Sequence, residues 1–354
     1  MKHYVALPVL LLSILSFSSH INAFTYMTCN GKPITQFIPW HASEIELRIS
    51  DANFPVLSDA DLAIKRAIIE INEMGGTSLK FKVERTSDGG EWGDLKNDLI
   101  LGRWIGQYYD PDALATIMLD YSNTCSSPYI YEADIVFSSG HWDNFEFGKF
   151  SYENMADFGW DGPHSFEGIA LHELGHLVGL EHTTTTLDTM LPDAPGGGPL
   201  GKDKRWIPLP DMARGIRFLY PGGSKKSGVE ASAFQFVSTF GEVSSEILTL
   251  PVQVKRGNTL RFSYTFAITG TEKETFNIFF YLSKDDKITT SDILVGSNTG
   301  AWGNPGSVGT YTRTISVPNW INTGDYFLGY IIDKNNNGQI DGSSVAIATP
   351  TKIY

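Results

Sequence analysis

The sequence predicts a two-part chain, a mixed α and β half followed by an all-β half. Three observations predict it. Apolar residues recur at helical spacing in two segments, and a proline with Asp211 beside it signals a third helix, all before Pro221. From Val229 onward, runs rich in Tyr, Phe, Thr, Val and Ile alternate with period two, as half-buried strands do. Between the halves, Gly222–Gly228 has the Gly, Ser and Lys composition of a flexible linker. At 354 residues, with 42% hydrophobic and 19% charged, the chain can bury two cores.

The first 23 residues stand apart from the fold. Lys2 and His3 form a polar start, Val5 to Leu15 is an apolar run, and Ile21-Asn22-Ala23 ends in a small residue. That is the pattern of a secretory signal peptide cut after Ala23, and the run is shorter than the roughly 20 residues needed to span a bilayer. The mature chain is therefore expected to be secreted, with no membrane span. Alternation over residues 44–49 predicts a strand. Asp59 before Leu62, Ala63, Ile64, Ala67, Ile68 and Ile71 predicts a capped helix that Gly75-Gly76 stops. Further strands are expected at 79–83, 98–101, 115–120 and 133–137. A second helix is expected from Ser165 to Leu180, with Phe166, Ile169, Ala170, Leu174, Leu177 and Val178 on one broad face. Residues 183–210, full of Thr, Gly and Pro, predict an irregular loop whose length marks it as functional. A proline in the first turn predicts a third helix over 210–220. Strands over 260–268, 276–282, 311–317 and 326–332 predict a β-sandwich across 229–354.

Lys and Arg total 27 against 40 Asp and Glu, a net charge of -13 that repels phosphate backbones, so nucleic acid is not an expected partner. There are two cysteines, Cys29 and Cys125. In an exported chain they most simply form one disulfide. The alternative is that Cys29 is a thiolate that caps a metal.

The chemistry is concentrated in His172-Glu173-Leu174-Gly175-His176-Leu177-Val178-Gly179-Leu180-Glu181-His182. Four residues advance a helix by slightly more than one turn, so His172 and His176 present their imidazoles to one ion from one face. Glu173 lies about 100° round the helix, near enough to reach a water on the metal. Gly179 is the residue best able to turn the chain back and bring in His182. Three neutral imidazoles leave a tetrahedral zinc one open position, a catalytic rather than a structural arrangement. The metal acidifies water and polarises a carbonyl, while Glu173 takes the proton and passes it to the leaving amine.

This pattern, followed by Met190 eight residues past His182, resembles the metzincin zinc peptidases, and in detail their matrixin branch. Leu191-Pro192 after the methionine and the segment Leu209–Tyr220 are also similar to that branch. Thr183 stands where matrixins usually carry Ser, and Thr28-Cys29-Asn30-Gly31-Lys32-Pro33 is not their cysteine-switch motif. The resemblance implies a zincin catalytic domain of α+β class, a twisted sheet plus the active-site helix, over residues 24–221. It implies one catalytic zinc on His172, His176 and His182, with Glu173 catalytic, Met190 in a Met-turn beneath the metal, and a polypeptide substrate. It also implies structural calcium or a second zinc. His141, Asp143 and His164 are the zinc candidates, and Asp134, Glu153, Asp157 and Asp161 the calcium candidates; solvated loop side chains explain them equally well.

Residues 280–292 and 324–333 resemble the adhesion-type sandwiches called CARDB domains. An immunoglobulin-like sandwich is thus expected over 229–354, joined by a linker at 222–228 and suited to a surface or matrix ligand. The expected activity is that of a secreted zinc endopeptidase. The rival expectations are an adhesion protein with a vestigial metal domain and a hydrolase of cell-wall peptides.

Overall fold

The computed structural model describes residues 24–36, 44–87, 89–90, 93–102, 113–121, 128–147, 164–183, 189–190, 202–203, 209–236, 252–285, 288–334 and 346–354. The expected signal at 1–23, Cys125, Glu153, Asp157, Asp161 and most of the loop over 183–210 lie outside these residues.

In the N-terminal half, β1 (Thr35–Gln36), β2 (Ile45–Ser50), β3 (Phe81–Thr86), β4 (Asp98–Gly102), β5 (Ala115–Tyr121) and β6 (Tyr129–Ser138) form one sheet. Its order is β1-β6-β4-β2-β3, all parallel, and β5 runs antiparallel beside β6. Helix α1 (Asp59–Asn72) is the crossover between the parallel neighbours β2 and β3. Its cap is Ser58, one residue before the expected Asp59: the Ser58 hydroxyl accepts from Asp61 N. The buried Asp61 carboxylate accepts from Leu57 N, Lys65 and Arg85 of β3, each at 2.8–2.9 Å. At the other end Asn72 exchanges two hydrogen bonds with the backbone of Phe81. Ala63, Ile64, Ala67, Ile68 and Ile71 are thereby held against the sheet, in one core with the second helix, α2 (Phe166–Leu177). A third helix, α3 (Pro210–Leu219), adds Met212, Ala213 and Ile216 to that core.

A buried polar network joins β2, β4 and β6. Arg48 of β2 binds Asp98 (Nε to Oδ1 2.7 Å) and Asp94 (2.7 Å). Glu132 accepts from Gly93 N and Leu95 N, and Asp134 Oδ1 accepts from Asp98 N at 2.8 Å. Asp134 is fully buried and its Oδ2 has no partner. Burial, then the nearby Asp98, Glu132 and Asp94 carboxylates, push it up to about 7.

The C-terminal half begins at β7 (Glu230–Phe236) and continues through β8 (Val252–Val254), β9 (Thr259–Ala267), β10 (Glu274–Ser283), β11 (Ile293–Gly303), β12 (Val308–Ser316), β13 (Gly324–Asp333) and β14 (Ala346–Ile353). One sheet has the order β7-β9-β12 and the other β8-β14-β13-β10-β11. Lys202–Asp203 adds a short antiparallel strand beside β7, so the long loop of the first half reaches the second. Aromatic rings from the two sheets meet in the core: Phe262 and Tyr264 of β9 lie 5.1 and 5.0 Å from Phe280 of β10.

These observations correct the expected fold class, an α+β zincin domain followed by an all-β immunoglobulin-like sandwich. Strand outweighs helix by 46% to 18%, and the chain is a mostly β protein with β-sandwich-like sheets. Helical periodicity is the more conspicuous signal in the sequence, yet the three helices are only 14, 12 and 10 residues long. Strands with polar or glycine-rich faces, such as β11, leave little periodic trace.

The segment 222–228, flexible by composition, is bonded on both sides. Gly76 N donates to Ser224 O at 2.7 Å, Thr271 N to Lys226 O at 2.8 Å and Gly270 N to Gly228 O at 2.9 Å. Arg217 of α3 completes the junction by donating to Met74 O and Gly75 O on one side and to Thr269 O and Gly270 O on the other.

Two predictions follow from these contacts. Arg217→Met, which keeps the stem but strands four carbonyls, should cost about 2 kcal/mol or more in urea unfolding and weaken the cooperativity of the two halves; an unchanged transition would refute the bridging role. Asp134 is held above its unfolded-state value, so its stabilising contribution is complete below about pH 4 and is lost as pH rises through about 7. Asp134→Asn should flatten that part of the stability profile and raise stability relative to the parent above pH 7.

Candidate metal centre

Helix α2 is set by its first residues. Ser165 caps it through a bond from Gly168 N at 3.1 Å, and Glu167 in the first turn pairs with Arg66 of α1. Every residue of α2 is buried, so the helix presents His172, Glu173 and His176 from a packed scaffold rather than from a loop.

The imidazoles converge. His172 Nε2 lies 3.1 Å from His176 Nε2 and 3.2 Å from His182 Nε2. Zn–N bonds of about 2.0–2.1 Å at the tetrahedral angle place ligand nitrogens about 3.3 Å apart, so the spacing fits that ion. The outer nitrogens determine the tautomers. His172 Nδ1–H donates to Thr189 O and His176 Nδ1–H to Leu180 O, both at 2.8 Å. In the neutral rings this leaves the Nε2 lone pairs of His172 and His176 directed at one another, an arrangement that a shared cation would satisfy. Burial pushes His176 down to about 4 and lowers His182 as well, which keeps both rings neutral and ready to ligate. His172 and His176 are buried and His182 is exposed, leaving one flank open to solvent.

Glu173 is almost wholly buried, and burial alone pushes its carboxyl up to about 8. A bound cation would act in the opposite sense and favour the carboxylate.

Two glycines of the motif have separate steric reasons. Gly179 has φ +98°, and a Cβ there would stand 2.3 Å from Ile34 O. Gly175 lies on Met190, where a Cβ would meet the sulfur at 2.3 Å. Met190 is buried against α2, and its carbonyl accepts from Thr183 N at 2.9 Å. It thus packs beneath the helix that carries two of the histidines.

Several contributors have no signal in the sequence. Thr189 accepts from His172 through its carbonyl and from Leu209 N through its hydroxyl. Tyr220 donates to Val178 O and accepts from Gln36 N, while Gln36 donates to Leu177 O, so two carbonyls at the end of α2 are satisfied from distant segments. The sole hint is the position of Tyr220 at the end of an apolar helix.

Cys29 is disulfide-bonded. His141 and His164 are close enough for His141 to help burial lower His164. Among the described residues, His172, His176 and His182 are the group whose ligand atoms come together. Asp134 belongs to the Asp98 and Glu132 network described above. No helix among the described residues is long and apolar enough to cross a membrane.

Gly179→Ala should destabilise the fold by about 1–3 kcal/mol and weaken zinc binding, since both the backbone conformation and the approach to Ile34 are denied to it. Chelator competition and urea unfolding measure the two effects, and wild-type values in both would refute the constraint.

No protein-family model matches the chain, and no curated protein does. Among solved structures, a CARDB domain from Pyrococcus furiosus is 12% identical over 36% of this chain and 93% of its own, with a TM-score of 0.23. The C-terminal domain of Wzt is 12% identical over 37% of this chain and 75% of its own, with a TM-score of 0.25. A Niemann-Pick type C2 protein from the Japanese carpenter ant is 9% identical over 37% and 96%, with a TM-score of 0.24. The structural neighbours thus include a CARDB domain, and similarity at this level is silent about activity.

Proposed function

We propose that this chain is a secreted zinc-dependent endopeptidase acting on extended polypeptide, with His172, His176 and His182 as metal ligands and Glu173 as general base. The observation that carries the reading is the convergence of three imidazole Nε2 atoms, two of them oriented by carbonyls, on the helix that also bears a buried carboxylate. The resemblance of the motif to that of the metzincin peptidases supports it. Zinc, when bound, supplies Lewis acidity toward a carbonyl and acidifies water. The chain's own contribution is the Glu173 carboxyl, which burial raises and a bound cation would return toward the carboxylate, the form that can take a proton and pass it to a leaving amine. Met190 keeps α2 level beneath the ligands. Among the described residues β5 pairs on one side only, with β6, and its other side offers backbone groups to an extended peptide. The C-terminal sheets are assigned to holding the enzyme on a surface or matrix ligand.

The test is cleavage of an unfolded protein by the zinc-loaded chain, with the metal counted. Glu173→Gln should retain zinc and lower kcat at least about a hundredfold, whereas His182→Ala should lose zinc and activity together. Undiminished cleavage by Glu173→Gln, or a wild-type chain that takes up no zinc, would sink the proposal.

A further inference from the structure

The third histidine lies beyond the end of α2, on a segment whose backbone the helix satisfies only in part. Helix α2 ends at Leu177 with Val178 as its cap; Gly179 N and Leu180 N still donate to His176 O and Gly175 O, but Gly179 O, Glu181 N and His182 O find partners elsewhere. They find them at the N-terminal end of the described chain. Met27 N donates to Gly179 O at 2.8 Å, Glu181 N donates to Thr25 O at 3.1 Å, and Tyr26 bridges Leu180 in antiparallel fashion. The Thr25 hydroxyl donates to the carbonyl of His182 itself. Phe24 anchors this segment: it is 8% exposed, packs against Gly215 of α3, and its ring lies 5.5 Å from that of Phe218.

We infer that Phe24–Met27 is a positioning strap for the metal centre, holding the turn that carries His182 and the Leu180 carbonyl that orients His176. The inference rests on the zinc reading for its consequence but not for its contacts. His172 and His176 are presented by a buried helix, whereas the exposed His182 depends on this strap for the path of its backbone. Removing the strap should therefore leave a two-histidine site of low affinity on an intact helix.

Thr25 is exposed, so Thr25→Val removes the hydroxyl donor without disturbing packing. It should weaken zinc binding, read by chelator competition, about three- to tenfold, with unchanged unfolding of the zinc-free protein and recovery in Thr25→Ser. A chain beginning at Thr28 should lose more than Thr25→Val. A second readout needs no metal: amide exchange at Leu180–His182 should quicken in Thr25→Val and in the shortened chain. Zinc affinity and exchange both at wild-type values would overturn the strap. If wild type binds no zinc, the peptidase reading fails on its own, and the exchange experiment still decides the strap.

Discussion

Gly179 presses its backbone against the carbonyl of Ile34 at a φ of +98°, and the candidate centre is arranged around that approach. A side chain at this position would collide with Ile34, and without the approach the chain could not leave α2 at the angle that returns His182 toward His172. The same turn places Leu180 O on His176 Nδ1, so one backbone reversal supplies the third imidazole and orients the second. Residues far apart in sequence secure it. Ile34 and Gln36 come from the N-terminal segment and Tyr220 from the end of α3; Ile34 meets the end of α2 through its carbonyl, Gln36 through its side-chain amide and Tyr220 through its hydroxyl.

The outer nitrogens of His172 and His176 face uncharged groups. Backbone carbonyls of Thr189 and Leu180 set the tautomers, where a carboxylate would have added negative charge. On the zinc reading, such neutral partners would leave more of the dication's charge for a substrate oxygen. The carboxylates of the first half are gathered elsewhere, on β4 and β6 around Arg48, where Asp98 and Asp134 hold strands in register. The site and the sheet thus differ electrostatically: imidazoles oriented by neutral carbonyls in one, buried carboxyl groups around a guanidinium in the other.

The junction between the halves shows how composition and structure part company. A Gly, Ser and Lys stretch is flexible only while its amides and carbonyls face water. Here they face Gly76, Thr271 and Gly270, and Arg217 binds carbonyls from both sides. The correction of the fold class has a related cause. A helix announces itself by apolar residues on a 3.6-residue repeat, while an edge strand such as β11, with polar and glycine residues and neither face fully covered, has no comparable signature.

Local periodicity and spacing made α1, α2, α3, most strands of the first half and the four main strand runs of the second legible in the sequence. The same rules brought His172, Glu173 and His176 onto one helix and singled out Gly179 as the turning point. These are short-range consequences: the helical repeat and glycine's freedom at positive φ act within a few residues. Tertiary structure alone decided the rest. Which carbonyl would hold each imidazole, that Thr25 and Tyr26 would seat the His182 turn, that Tyr220 and Gln36 would close the end of α2, and that a glycine-rich linker would be bonded on both faces all depend on segments brought together across as many as 184 residues. Backbone groups carry no side-chain identity, so the sequence cannot mark which of them will meet; only the folded chain pairs them.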